Sequence, residues 1–265
     1  MMKCKNRMLF VVGGLALAGT LATQASAATV AVPYLNDFND NDASDFVVAN
    51  PSVANGIWTA ANGVFELRDG DRQSSFGRSQ AYLDVAGVDD TTLTSFSVSS
   101  RVTLNSILGF SNGRTEIGLL ALAEAPAVAG DVIVGYVGEI DFMQDGALDG
   151  TLRLTGSGTS ALSATDVLVE AGKSYEMLLQ GTMAAGVLTL DFTVTEVGNA
   201  LITATVQVVD ATPTVGSYFG YNHDNQRAQV SADLDDFALN VALVPEPASL
   251  AMVGLAAGGL VRRRR

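Results

Sequence analysis

Apolar side chains recur at every second position through most of residues 28–243, which is the period of a β-strand with one buried face. In 187–197, for example, Leu188, Leu190, Phe192 and Val194 share one face, and polar residues occupy the other. Comparable alternation is found in the segments 65–67, 81–85, 96–104, 117–123, 132–143, 152–155, 175–180, 201–209 and 236–241. Turn dipeptides such as Asn62-Gly63 and Gly198-Asn199 separate them. About twelve short strands of this kind predict an all-β fold, an antiparallel sandwich.

The first 27 residues have the pattern of a secretory signal peptide. A basic start at 3–7 precedes an uncharged stretch at 8–21 and the small-residue site Ala25-Ser26-Ala27. Cleavage is expected after Ala27, with the Sec translocon and signal peptidase as the partners. The alternative is an amphipathic or core helix. The single cysteine, Cys4, would leave with the signal, so the mature chain would contain no disulfide.

The C terminus consists of Pro245-Glu246-Pro247, an uncharged apolar run over 248–261 and four terminal arginines. The run is shorter than the roughly 20 residues of a usual membrane span, which predicts only a marginal, transient anchor in the inner membrane. This order of parts resembles the PEP-CTERM sorting signal. The resemblance implies an exosortase as the processing partner and export to the cell surface or extracellular matrix. It leaves open whether the tail is removed.

Charge is concentrated differently in the ends and in the body. The chain has 15 basic and 28 acidic residues, and seven of the basic and one of the acidic residues lie in the two end segments. The body from 28 to 243 therefore carries about −19, which would repel nucleic acid and anionic lipid. With 48% hydrophobic residues the body can form a core, and a disordered chain is excluded.

The order of strand and turn cues resembles a concanavalin A-like or laminin G-like jelly roll. The matching segments are 36–38, 56–58, 63–65, 96–104, 117–119, 172–175 and 235–237. The resemblance implies one jelly-roll domain over 28–243, between the signal peptide and the tail at 244–265. A different β-sandwich is the alternative.

One strand contains acidic residues at a spacing known from enzymes of this fold. The segment 138–145 resembles the Glu-x-Asp-x-x-Glu motif of laminarinase-type glycoside hydrolases, which would make Glu139 the nucleophile and Asp141 its tuning carboxylate. The proton-donor position is Gln144, and an amide cannot donate an acidic proton. The main alternative is an exposed acidic face on an ordinary strand. The others are a dead site that still binds sugar, and an active hydrolase.

Aspartates at the two ends of the body suggest a structural calcium site, although no cofactor is certain. In jelly rolls the first and last strands commonly pair, which would bring two acidic runs together. Their members are Asp37, Asp40, Asp42, Asp233 and Asp235. Ca²⁺ takes six to eight oxygen ligands, so such a cluster would suit it. Solvated acidic loops are the alternative.

The segment 218–225 has the composition of a sugar-contacting loop. Tyr221, His223 and Asp224 combine an aromatic face with polar groups, as carbohydrate sites do. The alternative is an ordinary hairpin loop. Trp58, flanked by Ile57, is expected in the core rather than as a stacking platform.

These patterns favour a non-enzymatic, exported surface or matrix component that binds extracellular polysaccharide. A laminarinase-type hydrolase and a purely structural surface coat are the alternative hypotheses.

Overall fold

The computed structural model describes residues 29–49, 56–68, 76–124, 134–143, 149–156 and 163–244. The expected signal peptide with Ala25 and Ala27, the motif residues Pro245, Glu246 and Pro247, and the apolar run 248–261 lie outside these ranges. Gln144 also lies outside them. None of the described residues forms a helix long and apolar enough to cross a membrane.

All regular structure in the described ranges is β. The strands are β1 Thr29–Val30, β2 Tyr34–Asn36, β3 Val47–Ala49, β4 Ile57–Ala61, β5 Val64–Arg68, β6 Phe76–Val85, β7 Leu93–Ala123, β8 Tyr136–Met143, β9 Asp149–Thr155, β10 Ser163–Leu168, β11 Ser174–Ala184, β12 Val187–Glu196, β13 Asn199–Asp210 and β14 Tyr218–Leu243.

The strands form two layers that share their two longest members. In the first sheet the order is β13, β12, β11, the first half of β7 and the second half of β14, with β5 and β2 on the far side of β14. In the second sheet the order is β10, β9, β8, the second half of β7, the first half of β14, and β6. β7 and β14 pair along nearly their whole lengths, so hydrogen bonds link both layers. This is the predicted antiparallel jelly roll.

The core lies between the two sheets, where the alternating residues meet. Every second residue of β12 is buried, as the sequence pattern predicts. The ring of Phe192 packs directly over Gly138 of the opposite sheet and fills the space that a Cβ there would need. Elsewhere in the core, aromatic rings from three different strands and the loop after β2 pack on one another, with centroids 5.2–6.0 Å apart: Phe38, Phe46, Trp58, Phe65, Tyr221 and Phe237.

The structure joins segments that the sequence pattern treats as separate. β7 is a single 31-residue strand that includes both 96–104 and 117–123. β14 spans 26 residues and includes 218–225, which was expected to be a loop. Register shifts near Arg227 mark where β14 passes from one layer to the other. Segments that look like separate short strands in the sequence are therefore parts of long, bent strands.

Candidate functional site

A row of polar side chains crosses the outer face of the first sheet. Asn240 of β14, Ser97 of β7, Gln180 of β11, Asp191 of β12 and Gln207 of β13 are consecutive partners in the antiparallel register. Since Phe96 and Leu190, their neighbours along the chain, point into the core, these polar residues point outward. Five strands thus present hydroxyl, amide and carboxylate groups in one line.

This row forms part of an open groove with a volume of about 470 Å³. The groove is lined by Ser95, Phe96, Ser97, Gln180, Gly181, Thr182, Thr189, Asp191, Asn240, Val241 and Ala242. Asp191 is the one charged side chain in this lining, and its Oδ1 accepts a hydrogen bond of 2.7 Å from Nε2 of Gln207. The groove therefore offers mostly neutral donors and acceptors at an accessible surface.

Threonines continue the polar face beyond the groove. The hydroxyls of Thr193 and Thr205 lie 2.9 Å apart, and the hydroxyl of Thr203 donates to that of Thr195 at 3.2 Å. This polar face was not among the sites predicted from the sequence. The sequence feature that could have revealed it is the polar side of β7, β11 and β12, where serine, threonine, glutamine and aspartate recur at alternate positions.

The outer face of the second sheet holds the acidic pair that the sequence singled out. Glu139 and Asp141 share one face of β8, as expected for residues two positions apart. They are not exposed, however: Glu139 is 5% and Asp141 3% accessible. Nη1 of Arg153 on β9 lies 3.3 Å from Oδ2 of Asp141 and 3.0 Å from Oε1 of Glu116 on β7. The expected exposed acidic face is wrong, because an arginine and the neighbouring strands enclose these carboxylates.

The same face continues across β14 and β6 with further paired polar groups. Asn222 accepts a hydrogen bond from Gln80 at 3.2 Å, and both are buried. Asp224 forms a 3.1 Å ion pair with Arg78. Of the three residues expected to contact sugar, Asp224 thus belongs to this enclosed network.

The other two lie in the interior, which corrects the expectation of a sugar-contacting loop at 218–225. Tyr221 is fully buried among the aromatic rings, its hydroxyl lies 2.9 Å from Oγ of Ser100, and burial raises the pKa of Tyr221. His223 is also fully buried, and its Nδ1 lies 2.9 Å from the backbone oxygen of Glu116. Alternation along β14 sends both side chains inward, where a ligand from solvent cannot reach them.

Trp58 is a core residue, as predicted. It is buried, and its Nε1 donates to Oγ of Ser79 at 2.9 Å. It packs against Phe65 and Tyr221 with centroids 5.3 and 5.9 Å away. It therefore offers no stacking surface to a ligand.

The strand that leads into the acidic run does pair with the last strand, since β2 pairs with β14 at Asn36 and Phe237, whereas β1 pairs with β6. The aspartates of the following loop are nevertheless used locally. Oδ1 of Asp37, of Asp40 and of Asp42 each accepts a hydrogen bond from the backbone nitrogen two residues later. Side-chain and backbone hydrogen bonds from Asn39 lower the pKa of Asp37, and backbone and side-chain hydrogen bonds from Ser44 lower the pKa of Asp42.

The aspartates of β14 have partners other than that loop. Oδ1 of Asp233 lies 2.6 Å from Nη2 of Arg68, which neutralises it. Oδ1 of Asp235 accepts a hydrogen bond from the backbone of Asp236, and burial raises the pKa of Asp235. No group of three or more His, Cys, Asp or Glu side chains in the described ranges is arranged to hold a metal ion. The five aspartates of the expected calcium site do not form such a group in the described ranges, and Oδ1 of each has a hydrogen-bond or ion-pair partner of its own.

The geometry is that of a legume lectin-like jelly roll, and comparison with solved structures shows the same fold. The Lotus tetragonolobus seed lectin superposes with a TM-score of 0.54 at 12% identity, covering 80% of this chain and 99% of the lectin. Peanut lectin with a 9mer peptide gives 0.51 at 13% identity, covering 81% and 100%. Winged bean acidic lectin complexed with methyl-α-D-galactose gives 0.52 at 10% identity, covering 80% and 98%.

The C-terminal segment is identified by its sequence and not by the fold. Residues 243–265 match the PEP-CTERM protein-sorting motif. This motif implies export to the cell surface with an exosortase as the processing partner. Among curated proteins, none matches this sequence.

Proposed function

We propose that this exported protein is a non-enzymatic surface or matrix component that binds extracellular polysaccharide through the groove on the outer face of the first sheet. The observation that carries the proposal is the in-register row of Asn240, Ser97, Gln180 and Asp191 in an open groove. Sugar hydroxyls are both donors and acceptors, so a surface of hydroxyls and amides can pair with them. The lectin-like fold supports the same ligand class.

The lining favours a neutral glycan over an anionic one. Asp191 is the one charged side chain in the described lining, and the body around it is strongly acidic. A polyuronate would be repelled by this field and would find no arginine or lysine in the groove to pair with. A neutral glucan or galactan carries no such electrostatic cost.

The enclosed face of the second sheet supports a non-catalytic role. Glycoside hydrolysis needs one carboxyl that keeps a proton and a second that is free to attack or to activate water. Arg153 lies within 3.3 Å of both Asp141 and Glu116 and forms ion pairs with both. Because Glu139 and Asp141 are only 5% and 3% accessible, they are poorly placed to meet a substrate, and we assign the carboxylates of this network a structural role.

The experiment is a titration of the purified protein with neutral glucans, galactans and alginate by isothermal calorimetry. Gln180→Ala and Asn240→Ala remove groove amides at exposed positions, and each should weaken neutral-glycan binding about three- to tenfold, since a hydrogen bond contributes roughly 0.5–1.5 kcal/mol. Asn105→Ala removes an exposed amide elsewhere on β7 and serves as the matched control. Full binding by both groove variants would refute the site.

The two alternative functions give different results in the same preparation. A structural coat would bind none of the glycans, and a hydrolase would release reducing sugar from laminarin. Glu139→Gln should leave glycan binding intact if the carboxylates of the second sheet are structural.

A further inference from the structure

The last strand of the fold and the sorting motif overlap along the chain. The motif match begins at residue 243, whereas β14 continues to Leu243 and the described residues to Val244. The triplet Pro245-Glu246-Pro247 follows directly. Three residues span at most about 11 Å when fully extended. The triplet is therefore tethered within about 11 Å of the folded body, without a spacer.

The end of β14 is held by hydrogen bonds to the start of β7. The backbone nitrogen of Val244 donates to the backbone oxygen of Thr92 at 2.7 Å. Two residues earlier, Oγ1 of Thr94 donates to the backbone oxygen of Ala242 at 2.8 Å. The first residues of the matched motif are thus part of the folded sheet.

The turn that receives the end of β14 is tied together by one carboxylate. Oδ1 of Asp89 accepts hydrogen bonds from the backbone nitrogens of Thr91 and Thr92, both at 2.8 Å. These bonds order the residue whose carbonyl accepts from the end of β14. We call residues 89–94 and 242–244 together the terminal clamp.

The terminal clamp occupies residues that belong to the recognised segment. The motif match includes residues 243 and 244, so recognition extends into the sheet. Pro245 has no backbone N–H and cannot extend the hydrogen-bond ladder, which makes the clamp the last set of bonds before the motif. The ends of paired strands open locally at a lower free energy than the core. The clamp is therefore the part of β14 that opens first.

We propose that the processing enzyme acts on the chain while the terminal clamp is open, so that the fold of the domain sets the rate of its own sorting. The open clamp adds residues 242–244, or about 10 Å of extended chain, to the segment that the enzyme can reach. The closed clamp keeps the same residues in the sheet. This proposal depends on the sorting motif and is independent of glycan binding.

The first test closes the clamp with a disulfide. Val244 lies opposite Thr92, and opposed Cα atoms in an antiparallel pair are about 4.5–5.5 Å apart, a distance that a disulfide can span. The double variant Thr92→Cys/Val244→Cys should accumulate as a precursor in a host with an exosortase. Dithiothreitol added to the cells should restore its processing. Because both states have the same sequence, any effect of the substitutions on recognition cancels, and the two single variants show its size.

The second test weakens the clamp. Thr94→Val removes the hydrogen bond to Ala242 and keeps a β-branched side chain, and it should speed processing about two- to tenfold in a pulse-chase immunoblot. Amide hydrogen exchange at Val244 should rise with it. The matched control is Thr103→Val, which removes a hydroxyl 2.7 Å from Oγ of Ser174 on the same strand, away from the clamp. It should be processed like the wild type.

Either of two results would overturn the proposal. One is an oxidised double variant that is processed as fast as its reduced form, which would show that the enzyme accepts the closed clamp. The other is a Thr94→Val protein that is processed no faster than Thr103→Val. Circular dichroism checks that each variant is folded. If Thr94→Val fails to fold, the comparison of oxidised and reduced protein still decides.

Discussion

Ser100 is the one polar residue in the inward series of the first half of β7, and replacing it by alanine should destabilise the fold more than its size suggests. Its Oγ donates to the backbone oxygen of Asp235 at 2.8 Å and lies 2.9 Å from the hydroxyl of Tyr221. Ser100 and Tyr221 are both buried. The hydroxyl thus bridges a strand segment of the first sheet and a side chain from the second.

The size of the destabilisation depends on which buried polar groups lose their hydrogen-bond partners. Tyr221→Phe removes one hydrogen bond and leaves Ser100 bonded to Asp235, so it should cost about 1 kcal/mol. Ser100→Ala leaves the Tyr221 hydroxyl and the Asp235 carbonyl without this partner, at roughly 1–3 kcal/mol each. We expect about 2–6 kcal/mol in total. For a domain of this size, that corresponds to a fall in melting temperature of roughly 4–24 °C.

A double-mutant cycle measured by urea denaturation tests this reasoning. In the Tyr221→Phe background, Ser100→Ala should reduce the free energy of unfolding by less than in the wild type. The reason is that the Tyr221 hydroxyl, one of the two groups that lose a partner, is already absent. Additive single and double variants would show that the two hydroxyls are not coupled. A Ser100→Ala cost equal to or below that of Tyr221→Phe would refute the bridging role.

Four other outcomes are expected. Gly138→Ala should lower the free energy of unfolding by about 1–3 kcal/mol in denaturation curves, because its Cβ would clash with the ring of Phe192. Asp235→Asn should raise the melting temperature at neutral pH. Since burial raises the folded-state pKa of Asp235, ionisation costs stability as pH rises, and the gain should vanish once the wild-type carboxyl is protonated in acid. Melting in chelator, Ca²⁺ and Mg²⁺ should coincide at equal ionic strength, and a rise of several degrees in Ca²⁺ alone would show a calcium site. Glu246→Ala should accumulate as an unprocessed precursor in fractionation and immunoblots of a host with an exosortase.

Alternation along the sequence was enough to predict the sandwich and which face of each strand is buried. On β12 the buried apolar side chains all lie on one side: Leu188, Leu190, Phe192 and Val194. Because side chains alternate between the two faces of a strand, only one orientation of β12 places these apolar residues against the core. The pairing of an early strand with the last one was also predictable, although it is β2 and not β1 that pairs with β14. Strand length was not, since β7 and β14 continue through bends that the local sequence pattern does not mark.

The candidate sites were harder to predict than the fold. They depend on how far each strand continues and on contacts between residues far apart in sequence. Treating 218–225 as a loop made Tyr221 and His223 look accessible, whereas a strand sends both into the interior. The spacing of Glu139 and Asp141 correctly placed them on one face. It could not show that Arg153, on another strand, would lie against Asp141 and Glu116. The groove involves four strands and has no local motif.

The sharing of β7 and β14 by both sheets has a mechanical consequence for any pull applied to the C-terminal tail. The sorting motif begins at residue 243, where β14 ends, so tension on the tail enters the domain along β14. β14 lies between β7 and the β5 and β2 strands, and it pairs with β7 through both layers. A pull along its axis loads many parallel hydrogen bonds in shear at once, instead of opening them one by one. The strand that leads to the tail is therefore the one best placed to resist extraction from the fold.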